Sequence, residues 1–447
     1  MDANATTPVL PEVLAAMQPY FAEQFGNASS IHQHGQHARA AMERARESVA
    51  ALLNCRAAEI VFTSGGTEGD NLALYGVAQP GDHIITSAIE HHAVLNAAEA
   101  LARRGVDVTF IEVDYTGRVD PYAVRRAITP KTRLISIMMA NNETGVLQHV
   151  NNIGVIAAEA GVLFHTDAVQ AAGKVPIDVE KIGCHLLTIS GHKMHAPQGV
   201  GALYVRRGTL IEPLFRGGNH ERQRRAGTEN VPGIVGLGKA AELARAGFTD
   251  GSIARLAAMR DRLEQGILSS IDETVVNGGW GPDPIEYSRA RSSSASSRGT
   301  ASQSDPKRAS ENGSAPSLKD DSTSGIPPAN GEIDAMWVGK GGPPYKPERI
   351  PRVPNTTNIQ ISHIEGEALV IALDLKGLAV STGAACSSGA TDPSHVLAAM
   401  GLTPAEARAS IRFSLGKHNT NADVDFALSI LPETVARLRE LSPVYNK

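Results

Sequence analysis

The chain has 447 residues, 42% hydrophobic and 20% charged, which suits a globular protein of two or three domains with a large core. Its 42 basic and 47 acidic residues leave a net charge of −5 with no basic stripe in the globular parts, so neither nucleic acid nor a membrane surface is an expected partner. Three scattered cysteines without a CxxC pair exclude a disulfide framework and a structural zinc site, and the lack of a basic, apolar leader predicts a cytoplasmic protein.

In chain order, the tract HQHGQH at 32–37 reads as a polar loop leading into a helix, because no further metal-ligand set accompanies it. Between about 59 and 206, seven β-rich runs alternate with helical stretches: EIVFTS, DHIITS, VTFIEV, RLISIMMA, VLFHTDA, LLTIS and ALYVRR. That alternation predicts a mostly parallel sheet covered by helices on both faces, with ligands held beyond the carboxyl ends of its strands. Residues 237–272 read as one long helix or a helix pair. From about 288 to 331 the chain turns rich in Ser, Gly, Pro and charge, with almost no large apolar residue. Such a composition predicts a disordered insertion; a docking segment that folds on a partner is the other reading. Globular pattern returns at NTTNIQISHIEGEALVIALDLKG, 355–377.

Several motifs fall at the predicted strand ends. FTSGGTEGDNLAL (62–74) ends a strand in two glycines before Thr67 opens a helix, a place where backbone N–H groups can hold phosphate. An ordinary strand–turn–helix junction has the same look. His91 in SAIEHHAVL and Asp167 in FHTDAVQ each stand between a strand and a helix, with Gln170 one turn after the aspartate. Asp167 could fix a cationic heteroaromatic nitrogen or simply cap a helix. NNETGV (141–146) puts polar groups on the same rim, and SGHKMHAPQGVG sets Lys193 in a small-residue turn. A phosphate cradle, a ring-stacking histidine, a carboxylate and such a lysine are what pyridoxal 5'-phosphate needs. Lys193 would form the Schiff base, and Ser190 and His192 would help hold the phosphate.

Cys386 lies in AVSTGAACSSGATDPSHVL, a Gly/Ala/Ser loop without apolar periodicity, where a thiolate could act as a nucleophile. Arg412, in the strand-like SIRFSLG, is open to two readings: a bidentate clamp on a substrate carboxylate, or an internal salt bridge.

Assembled, these residues resemble the cysteine desulfurases of the iron–sulphur and nitrogen-fixation type, in the class V aminotransferase-like group of fold-type I pyridoxal phosphate enzymes. DANATTP, FTSGGTEGDNLAL, EHHAVL, NNETG, HTDAVQ, SGHKMHAPQGVGALYV, GGNHERQRRAGTEN, STGAACSSG and SIRFSLG carry the resemblance, which spans nearly all of the chain except about 280–350. It implies an α/β fold-type I transferase: a large domain (15–250) with a mostly parallel seven-stranded sheet, and a smaller α+β domain (1–14 and 251–447) interrupted by the insertion at about 281–350. It implies that Lys193 carries the cofactor, Asp167 pairs with its ring nitrogen, Gln170 binds its ring oxygen and His91 stacks on the ring and moves protons. Gly66, Thr67, Ser190 and His192 would hold the phosphate, joined by Thr228 from the partner subunit of a homodimer. Asn142 would lie beside the ring and grip the substrate carboxylate together with Arg412. Cys386 would take sulphur from L-cysteine as a persulfide, leaving L-alanine, and pass it to an acceptor or iron–sulphur scaffold protein. No resident metal is implied, although Cys386 could ligate a cluster transiently. A selenocysteine lyase or a class V transaminase is the nearest rival, and a non-enzymatic iron–sulphur carrier fits poorly with three isolated cysteines.

Overall fold

The computed structural model describes residues 1–279, 349–382 and 393–441. All seven β-rich runs form strands: β1 (Ile60–Thr63), β2 (His83–Ser87), β3 (Asp107–Ile111), β4 (Thr132–Ser136), β5 (Leu163–Asp167), β6 (Leu186–Ser190) and β7 (Gly201–Val205). They lie in one sheet in the order β1-β7-β6-β5-β4-β2-β3. β7 runs antiparallel to β1 and β6, and the other pairings are parallel.

The near-continuous apolar character of the inner strands follows from burial on both faces. Successive residues go to opposite sides: Ile85, Ile135 and Leu187 join one core, while Ile84, Leu134 and Leu186 join the other. On the first side, helix Gln33–Leu53 packs against helix Val231–Ala246. Their approach is close enough that a Cβ on Gly238 would lie 2.6 Å from Ala45, which is why that position carries no side chain.

The tract at 32–37 departs from expectation. His32 is the N-cap, its ring accepting from the Gly35 N–H, and residues 33–37 are the first turns of the helix itself. A capping histidine followed by a helical turn carries the same polar letters as a loop. The stretch 237–272 resolves into a helix pair, Val231–Ala246 and Ser252–Ser270.

A second sheet has the order β10-β11-β9-β8, all antiparallel: β8 (Thr274–Val276), β9 (Thr356–Ile361), β10 (Ser381–Thr382) and β11 (Ser410–Ser414). It has its own apolar core, where Ile359, Ile411 and Phe413 meet Leu263, Leu369 and Leu431 from helices Ser252–Ser270, Gly366–Asp374 and Asn421–Leu441. The N-terminal segment reaches this sheet, since Asp2 forms a parallel bridge with Ser414 and the Ala3 N–H donates to the Ser414 carbonyl. Cys386 and the Ser/Gly/Pro-rich insertion lie outside the described residues. Among the described residues no helix is long and apolar enough to cross a membrane, and no cluster of His, Cys, Asp and Glu is arranged to hold a metal ion.

Candidate active site

A 320 Å³ cavity opens beyond the carboxyl ends of β1, β4, β5 and β6. Its lining includes Gly66, Thr67, His91, Asn142, Asp167, Gln170, Ser190, His192, Lys193 and Arg412, ten of the positions singled out from the sequence. Thr228 does not line it and is exposed. Parallel strands deliver these residues together because their carboxyl ends share one edge of the sheet.

At the β1 end, helix Gly66–Tyr75 starts with Gly65 as N-cap and no side chain capping it. Gly66 and Thr67 of its first turn, whose N–H groups lack intrahelical acceptors, line the cavity together with Ser190 and His192. Gly65 has φ +156°, a region that L-residues rarely adopt, and a Cβ on Gly66 would lie 2.9 Å from the Val169 side chain. Backbone, not side chain, therefore forms this wall, as an anion-holding turn requires. His192 places Nδ1 3.2 Å from Thr6 Oγ1, and burial, helped by Lys193, pushes its pKa down to about 4, so at neutral pH it meets an anion as a neutral imidazole.

Lys193 ends the single turn Gly191–Lys193 that follows β6. Its Nζ donates to the main-chain oxygens of Asn4 (2.6 Å) and Ala5 (2.7 Å). Asp167, at the end of β5, is 6% exposed and accepts from the Val169 N–H at 2.8 Å. Burial pushes its pKa up to about 6, against the pull of that N–H and of Lys193. A cationic group in the cavity would bring it down again. Asp70 is fully buried, its Oδ1 3.6 Å from His165 Nε2 and without a hydrogen bond among the described residues, and burial together with the Asp167 charge raises its pKa well above the carboxylate range.

His91 caps helix His92–Ala102, Nδ1 accepting from the Ala93 N–H at 3.1 Å. The proton of the neutral ring therefore sits on Nε2. Desolvation, with Lys193 next, pushes its pKa down to about 4. Gln170 uses both ends of its amide: Nε2 donates to the Asn4 carbonyl at 3.1 Å, and Oε1 accepts from Lys174 Nζ at 2.7 Å.

Arg412 contains the internal salt bridge that its sequence setting allowed. Nη2 donates to Asp2 Oδ1 at 2.8 Å and Nη1 to the Asn142 carbonyl at 3.1 Å. It lines the cavity all the same. Ser381 and Ser394, which stand on either side of the Cys386 segment, donate to Asp2 and Glu143 respectively.

Sequence reasoning missed Asp2, Asn4, Asp70, Glu143 and Lys174. Asn4 is the most connected of them. Its side chain donates to the Asn142 carbonyl and Thr356 Oγ1 and accepts from Lys174 and Asn355. Its stretch, DANATTP, has no periodicity; the only signal was its place among the matching motifs.

The cavity's donor set fits pyridoxal phosphate. An uncapped helix N-terminus suits the phosphate, the buried Asp167 suits a pyridinium nitrogen, Lys193 is within the same lining, and the volume suits a small cofactor.

The family model for class-V aminotransferases matches residues 1–283 and 343–426, leaving out the Ser/Gly/Pro-rich stretch. Cysteine desulfurase 2 of Trichormus variabilis is 43% identical over 449 residues, spanning 100% of this chain and 95% of that protein. A solved NifS-like protein is similar at a TM-score of 0.76 and 32% identity, covering 98% of this chain and 99% of its own. The structure of SspA in complex with cysteine is similar at a TM-score of 0.69 and 30% identity, covering 94% and 99%.

Proposed function

As the chain belongs to the class-V aminotransferase family, and within it to the cysteine desulfurases, we propose that it is a pyridoxal phosphate enzyme that takes sulphur from L-cysteine and releases L-alanine. The observation that carries this reading is the convergence of Lys193, Asp167, His91 and Arg412 on one cavity with the uncapped N-terminus of helix Gly66–Tyr75. Lys193 would carry the cofactor, Asp167 would hold its ring nitrogen, Gln170 its ring oxygen, and Gly66, Thr67, Ser190 and His192 its phosphate. When bound, the cofactor supplies an electron sink for the charge left at the substrate's α-carbon.

The chain's own residues do the rest. Arg412, with Asn142, orients the substrate through its carboxylate. The Lys193 amine, freed from the Asn4 and Ala5 carbonyls, is placed to take and return a proton. The His91 Nε2–H covers the site and donates into it. The Cys386 thiolate attacks the substrate's sulphur: an S–S bond forms, the C–S bond breaks, and its electron pair stays with the β-carbon. The persulfide then passes its outer sulphur to an acceptor thiol or an iron–sulphur scaffold protein.

Two further assignments belong to the same proposal. Thr228 is exposed and absent from its own chain's cavity, so a homodimer in which it joins the partner's phosphate site is the arrangement that uses it. A cytoplasmic setting, in which the three separated cysteines stay reduced, is the second.

The test is alanine and sulphide release from L-cysteine with a thiol reductant, for wild type and Cys386→Ser together. Equal amounts of both products from wild type and neither from the variant are expected. Full turnover by Cys386→Ser would hand the assignment to a lyase or transaminase.

A further inference from the structure

Arg412 is 2% exposed and stands on β11, two residues before Ser414, which pairs with Asp2. The backbone thus sets the Asp2 carboxylate beside the guanidinium, with Oδ1 2.8 Å from Nη2 and Oδ2 accepting from Ser381 at 3.1 Å. Nη1 is tied to the Asn142 carbonyl, and Nε has no hydrogen-bond partner among the described residues. An arginine kept for anion binding is therefore half-neutralised by the chain's own anion. Asp2 remains 24% exposed, not sealed into the core. Glu143 also faces this guanidinium; its burial, opposed by the Ser394 hydrogen bond and by Arg412, pushes its pKa up to about 7.

We propose that Asp2 is a built-in competitor for the α-carboxylate, which weakens the grip of Arg412 on amino acids and so lets the product leave. The inference rests on the proposed desulfurase reading, in which L-cysteine and L-alanine present the same carboxylate to Arg412. An arginine fork without a resident anion would hold both more tightly, and the gain would be of no use once alanine failed to dissociate.

The test compares wild-type and Asp2→Asn holoenzyme by calorimetric titration with L-alanine and with cysteamine, which has the amine and thiol but no carboxylate. Asparagine keeps the shape and an acceptor oxygen for Arg412 and removes the charge; its NH2 takes the place of Oδ2, toward which the Ser381 hydroxyl can turn to accept. The expected result is an L-alanine dissociation constant lower by about 5-fold, a KM for L-cysteine lowered in parallel without a rise in kcat, and an unchanged cysteamine affinity. An L-alanine affinity that stays the same or weakens overturns the proposal, as does a cysteamine affinity that moves by the same factor. Wild-type holoenzyme that releases no alanine from L-cysteine would instead overturn the desulfurase reading itself.

Discussion

The Nζ of Lys193 donates a 2.6 Å hydrogen bond to the main-chain oxygen of Asn4, 189 positions away in sequence. The same oxygen accepts from Gln170, and the Asn4 side chain binds the buried Lys174 at 3.0 Å. One residue of the N-terminal segment thus fixes three side chains around the cavity. Asn4→Ala keeps the carbonyl but strips Lys174 of one of its two acceptors and Thr356 of a donor. The expected loss is about 2–3 kcal/mol of stability together with weaker cofactor retention. Thermal unfolding and cofactor titration of the variant measure both.

Glu90 supplies a pH dependence. It is fully buried, accepts from Ser87 Oγ at 2.6 Å and the Met138 N–H at 2.9 Å, and its Oε2 has no hydrogen-bond partner among the described residues. Burial, opposed by those two bonds and aided by the Asp167 charge, pushes its pKa from 4.5 up to about 8. Between those values the folded chain holds a proton that the unfolded chain has lost, so this group's contribution to stability falls as pH rises from about 4.5 to about 8. Glu90→Gln keeps an acceptor oxygen and cannot ionise. Its unfolding temperature, relative to wild type, should climb from pH 5 to pH 8; a constant difference would show that Glu90 is ionised in the fold.

Much of this was legible. The seven strands of the large sheet announce themselves because burial on both faces demands unbroken apolar runs such as LLTIS, and Asp167 ends one of those runs while Lys193 and His91 come within four residues of two others. Arg412 was legible as a buried charge in β11, but its partner was not, because Asp2 reaches it through the pairing of Asp2 with Ser414, 412 positions along the chain. Asn4, Glu143 and Lys174 escaped notice for the same reason: each is a polar residue whose burial is decided by distant segments and not by any local period. The polar letters of 32–37 concealed a helix start, since a cap and a loop draw on the same residues.

Beside β9 lies a buried ion pair that should be costly to break. Arg352 Nη2 donates to both carboxylate oxygens of Glu264, at 3.0 and 2.7 Å, with side chains 1% and 0% exposed. Thr357 Oγ1 donates to the same carboxylate at 2.7 Å. Glu264→Ala strands a buried guanidinium and should cost about 3–5 kcal/mol, whereas Glu264→Leu combined with Arg352→Met should recover most of that loss. Thermal unfolding of the single and double variants separates the two; equal losses would mean that the pair's charge is not what the site depends on.

The most direct test of the account is where the cofactor attaches. Lys193 and Lys174 both bond to Asn4 and stand near the same cavity, yet only Lys193 lines it. Protein loaded with pyridoxal phosphate is reduced with borohydride, digested, and its peptides weighed. The account predicts the cofactor's mass on the peptide holding Lys193, and no yellow protein from Lys193→Ala. The mass on the Lys174 peptide, or an undiminished yellow Lys193→Ala, would contradict it.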